Sequence, residues 1–148
     1  MTLLEFQIFL NNSIPLTKQM GLKLKTFNQD ELTLTSPLAP NINDKGSVFG
    51  GSSSALQIIG AWSLIKLNCL KNEILADIVI YKNETVWNKA LYEKIKIVSK
   101  FQNNLDFEKI KNELTKKNNV KINTISTLFD TTNNICSTMK ATYVILAK

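Results

Sequence analysis

From Ser52 to Lys71 nearly every position is apolar or small, with Leu56, Ile59, Trp62, Leu64 and Leu67 among the large residues, which leaves a helix of this length only a thin polar stripe. A soluble helix that is apolar almost all round has to be enclosed, so the pattern predicts one long central helix with the rest of the chain wrapped around it. Ahead of it, Thr2 and Glu5 fit a capping box, and Leu3, Phe6 and Leu10 recur on one face, which predicts a short amphipathic helix to about Asn11 that Pro15 stops. Leu22 and Leu24 then alternate with lysines, and Leu32 and Leu34 with threonines, across Asn28-Gln29-Asp30, the pattern of a hairpin with one dry face.

After the long helix, Ile74 to Tyr81 and Leu91 to Phe101 read as strands, with Lys82 to Ala90 as the connection between them. Residues Asn104 to Lys117 place Phe107, Ile110 and Leu114 on one helical face. Two last strands, Val120 to Phe129 and Ile135 to Ala147, flank the turn residues Asp130 to Asn134. The order is helix, two strands, buried helix, two strands, short helix, two strands. The fold class is therefore α+β: a curled, mostly antiparallel sheet of about six strands around the long helix, all in one domain over residues 1–148.

Composition narrows the function. The chain has no histidine, which removes the commonest general base and metal ligand, and Cys69 and Cys136 have no neighbours that would complete a metal site. They read as buried free thiols, and neither a metal nor a cofactor is expected. The net charge of +6 comes from lysines spread along the chain with no arginine, a solvated basic surface and not a nucleic-acid site. Gln57, Ser63, Lys66 and Asn68 interrupt the apolar helix, so a membrane span is not expected. The start Met1-Thr2-Leu3-Leu4-Glu5 has no basic region, so the cytoplasm is the expected location.

The candidate chemistry lies just before the long helix, in Asn43-Asp44-Lys45-Gly46-Ser47-Val48-Phe49-Gly50-Gly51. Paired glycines at a helix start let a substrate approach the backbone, and the first helical N–H groups lack partners, which suits an oxygen gaining negative charge. The following Ser52, Ser53 and Ser54 are expected to cap those N–H groups.

Asn43, Gly46, Phe49, Gly50 and Gly51 resemble the Asn, Gly, His-Gly-Gly spacing common in hotdog-fold thioesterases, with Phe in place of His. A closer likeness, through Ile14 to Thr17, Met20-Gly21, Pro37 to Ser52, Ala76 to Ile80 and Tyr143-Val144, is to the thioesterase family known as the YiiD C-terminal domain. That resemblance implies hydrolysis of an acyl thioester on coenzyme A or an acyl carrier protein. The Gly50 N–H would polarise the carbonyl, Asn43 would place substrate or water, and Gly51, Ser52, Phe49 and Trp87 would line the substrate site.

Many relatives also place a carboxylate on the central helix seven residues after the second glycine, and here that position is Ile58. One step along a helix rotates a side chain by about 100°, so the adjacent Gln57 cannot simply substitute. Asp44, Asp77 and Asn83 are the replacements, each with a plainer reading: turn former, strand-start pairing and loop residue. Phe49 and Trp87 are equally consistent with core packing or a dimer contact. The resemblance further implies a homodimer, with a tetramer of two dimers as the larger option, because pairing two curled sheets hides their open edges. A non-catalytic acyl-thioester or acyl-carrier binding module of the same fold is the alternative function.

Overall fold

The computed structural model describes residues 1–148. Helix α1 spans Leu3–Ser13 and opens with the expected reciprocal cap, in which the Glu5 N–H donates to Thr2 Oγ1 at 3.1 Å and the Thr2 N–H to Glu5 Oε2 at 2.7 Å. Pro15 does more than stop α1. It stands at the first position of a second short helix, α2 (Pro15–Gln19), where its missing N–H costs nothing.

Strands β1 (Lys23–Phe27) and β2 (Glu31–Ser36) form the expected hairpin, and helix α3 runs from Gly50 to Lys71. Strand β3 (Asp77–Trp87) continues through the segment expected to be a connection. Strand β4 starts at Ile95 and runs to Phe101, later than expected, because Leu91 is buried in the preceding loop, where its carbonyl accepts the Val48 N–H. Helix α4 (Phe107–Thr115), capped by Asp106, and the long hairpin of β5 (Val120–Phe129) and β6 (Ile135–Leu146) complete the chain.

The six strands form one sheet in the order β1-β2-β4-β5-β6-β3, and every neighbouring pair is antiparallel. The sheet curls around α3. One side of the helix, with Leu56, Ile59 and Leu64, packs with Phe6 and Leu10 of α1 and with Leu34 and Ile97. The other, with Ala61, Ile65 and Cys69, meets Ile122, Met139 and Ile145. Enclosure on both sides is why the helix carries so few polar residues.

Its close approach to the sheet depends on Gly60, where an added Cβ would lie 2.7 Å from Ser99 Oγ and 3.1 Å from Leu34 Cδ2. Three inner-face serines and Gln57 form a buried polar seam at that contact. The Ser99 and Ser126 hydroxyls are 2.7 Å apart, Ser126 Oγ donates to the Gln57 carbonyl, and Gln57 Nε2 donates to Ser126 O and Ser137 Oγ.

The sheet ends at β1 and β3, and the β3 edge is apolar as well as open. Val79, Ile80, Tyr81, Val86 and Trp87 are all exposed along it. No helix is long and apolar enough to cross a membrane.

Candidate active site

The segment between β2 and α3 folds into a tight loop because Asn43 closes it four ways. Its Oδ1 accepts from the N–H groups of Lys45 (2.9 Å) and Ser47 (3.0 Å), its Nδ2 donates to Ser47 Oγ (2.9 Å), and its own N–H donates to the Ser47 carbonyl (2.8 Å). Gly46 supplies the left-handed conformation at the tip, at φ +83°. A bridge between Ile42 and Val48 seals the base. Below it, the fully buried Asn41 donates from Nδ2 to Met20 O, Ser36 Oγ and Pro37 O, while its carbonyl accepts the Phe49 N–H at 2.7 Å. Asn41 thus fixes the point at which α3 begins.

The glycine pair opens the helix, as expected, and lies within it, ahead of the apolar run from Ser52. Phe49 is the N-cap, with extended backbone, and Gly50 and Gly51 are the first two helical residues. The serines do not cap the helix. Ser53 donates its own N–H to the Phe49 carbonyl at 3.1 Å, the first bond of the helix, so the N–H groups of Gly50, Gly51 and Ser52 have no partner in the chain. Three free donors at the positive end of a helix of 22 residues make a site for a developing oxyanion.

Trp87 stands over this first turn. An added Cβ on Gly50 would lie 3.4 Å from its Nε1, and that indole N–H donates to Ser53 Oγ at 3.1 Å, which donates on to the Gly50 carbonyl at 3.0 Å. The exposed Phe49 ring folds over Gly51, where an added Cβ would collide with Cε2. Phe49, Gly50, Gly51 and Trp87 are therefore one cluster. Beside them opens a cavity of about 350 Å³ lined by Gly50, Ser53, Trp87, Lys89, Leu128 and Cys136, among others.

The cavity's charged group, Lys89, is one that sequence reasoning missed. Its Nζ donates to Asp130 Oδ2 at 2.8 Å, and the Asp130 carboxylate, only 8% exposed, also accepts from the N–H groups of Thr132 and Asn134. These bonds, led by the one from Lys89, hold the Asp130 carboxyl well below the usual carboxylate range and hold Lys89 charged. Burial pushes the Cys136 thiol up, so it is a poor nucleophile here. Ser53 was visible in the sequence only as one of three serines, and nothing in Asn88-Lys89 set Lys89 apart.

No carboxylate lines the cavity. Asp44 sits on the loop, 81% exposed and paired with Lys45 at 3.0 Å. Asp77 opens β3, ten residues and about 33 Å along the strand from Trp87. Because Ile78 and its partner Ile145 are buried on the inner face, Asp77 projects from the outer one. Asn83 is a strand residue and not part of a loop, paired across the ladder with Ala141, and its Oδ1 accepts from Thr85 Oγ1. Trp87 likewise ends that strand. Within one chain neither Asp77 nor Asn83 belongs to the cluster at Gly50. Ile58 packs into the core and its carbonyl accepts the buried Tyr143 hydroxyl at 2.7 Å, while Gln57 is fully buried in the seam against the sheet.

With this geometry the chain matches, over residues 3–147, the sequence profile of the family described as "Putative thioesterase (yiiD_Cterm)". No curated protein matches it. Among solved structures it is similar to a "putative thioesterase" from Shewanella oneidensis, at 19% identity and a TM-score of 0.83 over 97% of this chain and 96% of that one. A protein of unknown function from Chlorobaculum tepidum has 21% identity and a TM-score of 0.87, covering 97% and 93%. A thioesterase from Haemophilus influenzae has 15% identity and a TM-score of 0.78, covering 99% and 92%. At such identities these likenesses establish the fold, which is the hotdog fold.

Proposed function

The chain belongs to the YiiD C-terminal-domain thioesterase family, and we propose that it hydrolyses an acyl thioester carried on coenzyme A or an acyl carrier protein, using the first turn of α3 as the oxyanion site. The observation that carries this reading is the set of unpartnered N–H groups at Gly50, Gly51 and Ser52, next to a cavity lined by Trp87. Water adds to the thioester carbonyl, the Gly50 N–H stabilises the oxyanion, and the C–S bond breaks to leave a carboxylic acid and a thiol. The proton lost by the water ends on the leaving sulfur.

Asn43 acts by holding the loop, since both of its side-chain polar atoms are committed to it. Phe49 and Trp87 flank the acyl group, with Gly51 and Ser52 as backbone contacts. Asp44, on the loop that ends at the cluster, is the proton acceptor we favour within one chain.

The site is completed in a homodimer formed through the open β3 edge, whose exposed apolar residues are costly to leave in water. Antiparallel pairing about the middle of β3 brings the start of the second β3 toward the Trp87 end, but leaves its Asp77 on the outer face, away from α3. It places the inner-face Asn83 against the second helix. Pairing of two such dimers would give a tetramer. Two buried, unpaired cysteines suit a reducing compartment, and we place the protein in the cytoplasm.

The absence of any carboxylate from the cavity favours a second reading, an acyl-thioester or acyl-carrier binding module that no longer turns over. Release of free thiol from short, medium and long acyl-CoA substrates decides between them. Saturable release supports the hydrolase, and binding without release supports the module.

A further inference from the structure

At the start of the loop that leads to Gly50 lies a groove of about 430 Å³ bordered by Lys23, Lys25, Lys94, Thr35, Pro37 and Leu38, with no carboxylate among its walls. None of the three lysines is in an ion pair, whereas Lys45, Lys89, Lys100, Lys111 and Lys116 all are. Of the acids near these lysines in sequence, Glu31 is paired with Lys100, Glu93 accepts from the Thr131 N–H and hydroxyl at 3.0 Å and Asp44 is held by Lys45, while Asp30 lies in the β1–β2 turn without a side-chain partner. Lys23 faces Thr35 in the β1–β2 ladder, and Lys25 is the extra residue at the irregularity between Leu24 and Thr26, so β1 presents both to the groove. Lys94 arrives from the residue before β4, whose Ile95 pairs with Ser36. Three uncompensated ammonium groups around one concavity form an anion site, and lysine serves phosphate as a point charge.

The groove and the cradle have no lining residue in common but are joined by the chain. Pro37 and Leu38 begin the loop that ends at Gly50, and Asn41 ties its two ends by donating to the Pro37 carbonyl and accepting from the Phe49 N–H. Lys94 lies three residues beyond Leu91, which lines the cradle cavity. A groove of this size fits a phosphorylated nucleotide, whereas a carrier protein needs a face of about 800 Å². We propose that this groove binds the phosphates of a nucleotide-linked acyl thioester, the 3′-phosphorylated adenosine diphosphate end of coenzyme A, an assignment that rests on the thioesterase reading and selects the carrier within it.

The test uses adenosine 3′,5′-bisphosphate, which has no thioester, titrated calorimetrically into the full chain and into the triple variant Lys23→Gln, Lys25→Gln, Lys94→Gln. The expected result is saturable binding that weakens with added salt and falls at least tenfold in the variant, whose melting temperature stays that of the parent. In thiol-release assays on acyl-CoA the variant's loss should appear in KM. No saturable binding to the parent, or equal affinity in the variant, overturns the assignment. So does loss of an acyl carrier protein's binding in the variant when the bisphosphate does not bind at all. If the bisphosphate binds through the lysines and no acyl-CoA is cleaved, the groove stands and hydrolysis fails. If acyl-CoA is cleaved with a KM indifferent to the lysines, hydrolysis stands and the groove fails.

Discussion

The indole N–H of Trp87 donates to Ser53 Oγ at 3.1 Å, linking the last residue of an open sheet edge to the first turn of the central helix. Ser53 passes the bond to the Gly50 carbonyl, so the peptide unit behind the proposed oxyanion donors is held from outside the helix. Trp87→Phe keeps most of the ring and removes the donor. Loss of one such hydrogen bond is worth about 1 kcal/mol, or roughly fivefold, so kcat should fall by about that factor while the melting temperature moves little. Ser53→Ala should give a similar loss, and the double variant should lose less than the product of the two because one chain of bonds is being cut. Steady-state kinetics on an acyl-CoA thioester check all three.

Gly50 allows a cleaner test of the oxyanion donor than most enzymes permit. It is the first helical residue, where proline is tolerated, and Phe49 before it already has the extended conformation (φ −63°, ψ 129°) that a following proline demands. Gly50→Pro should therefore fold while lacking the N–H, and thiol release should drop by about 10²–10³-fold, the usual effect of removing one oxyanion donor. Circular dichroism and light scattering establish that the fold and assembly are intact. Full turnover in a folded variant would remove Gly50 from the mechanism.

The Lys89–Asp130 pair predicts a pH signature in stability. Asp130 has its carboxyl depressed in the folded chain, so the stabilisation it gives is present above the unfolded value of about 3.9 and is lost as pH falls below it toward the folded value. Asp130→Asn should lower the melting temperature at pH 7, and the gap between parent and variant should narrow steadily below about pH 4. A gap that stays constant from pH 7 to pH 2 would show that the pair adds nothing.

Gly60 predicts a packing effect that is independent of chemistry. Its missing Cβ would sit 2.7 Å from Ser99 Oγ, an inner-face hydroxyl already bonded to Ser126, so the helix or the sheet has to shift to admit it. Gly60→Ala gains helix propensity and loses more to overpacking, for a net destabilisation of about 1–3 kcal/mol in urea unfolding. Gly60→Ala paired with Ser99→Gly should recover part of that loss.

The elements legible in the sequence are those whose two faces differ or whose enclosure is complete. The Thr2 and Glu5 cap, the Leu22 to Thr35 hairpin, the enclosed helix and β5 of the last hairpin fall where the pattern puts them. The second half of β3 does not, for two physical reasons. An irregularity between Ile80 and Lys82 breaks the alternation, and Lys82 to Glu84 lie on an uncovered edge where nothing in one chain requires apolar residues. Missing that half concealed that Trp87 ends a strand and reaches Ser53. At the site, the spacing of Asn43 and the glycine pair was readable, and the bonds of Asn43 to Lys45 and Ser47 are local, but the fixing of Lys89 by Asp130 depends on a contact between residues 41 apart in the chain.

The β3 edge itself supplies the last prediction. Its inner side carries Ile80 at 37% exposure and Trp87 at 54%, while Val79 and Val86 project from its outer side, an arrangement that a lone protomer would leave in water on both faces. Pairing two such edges satisfies the free N–H and C=O groups of β3 and lays each inner side against a second α3. The chain should therefore sediment as a dimer or a multiple of it at micromolar concentration. Ile80→Lys, which puts a charge where the two protomers meet, should shift it toward monomer. Asp77 stays on the outer face in such a pair, so Asp77→Asn should leave both the dimer and kcat unchanged, whereas the Ile80→Lys monomer should lose activity. A protein that is monomeric and fully active at that concentration would place the whole site within one chain and leave Asp44 as the proton acceptor, which Asp44→Asn would then test alone.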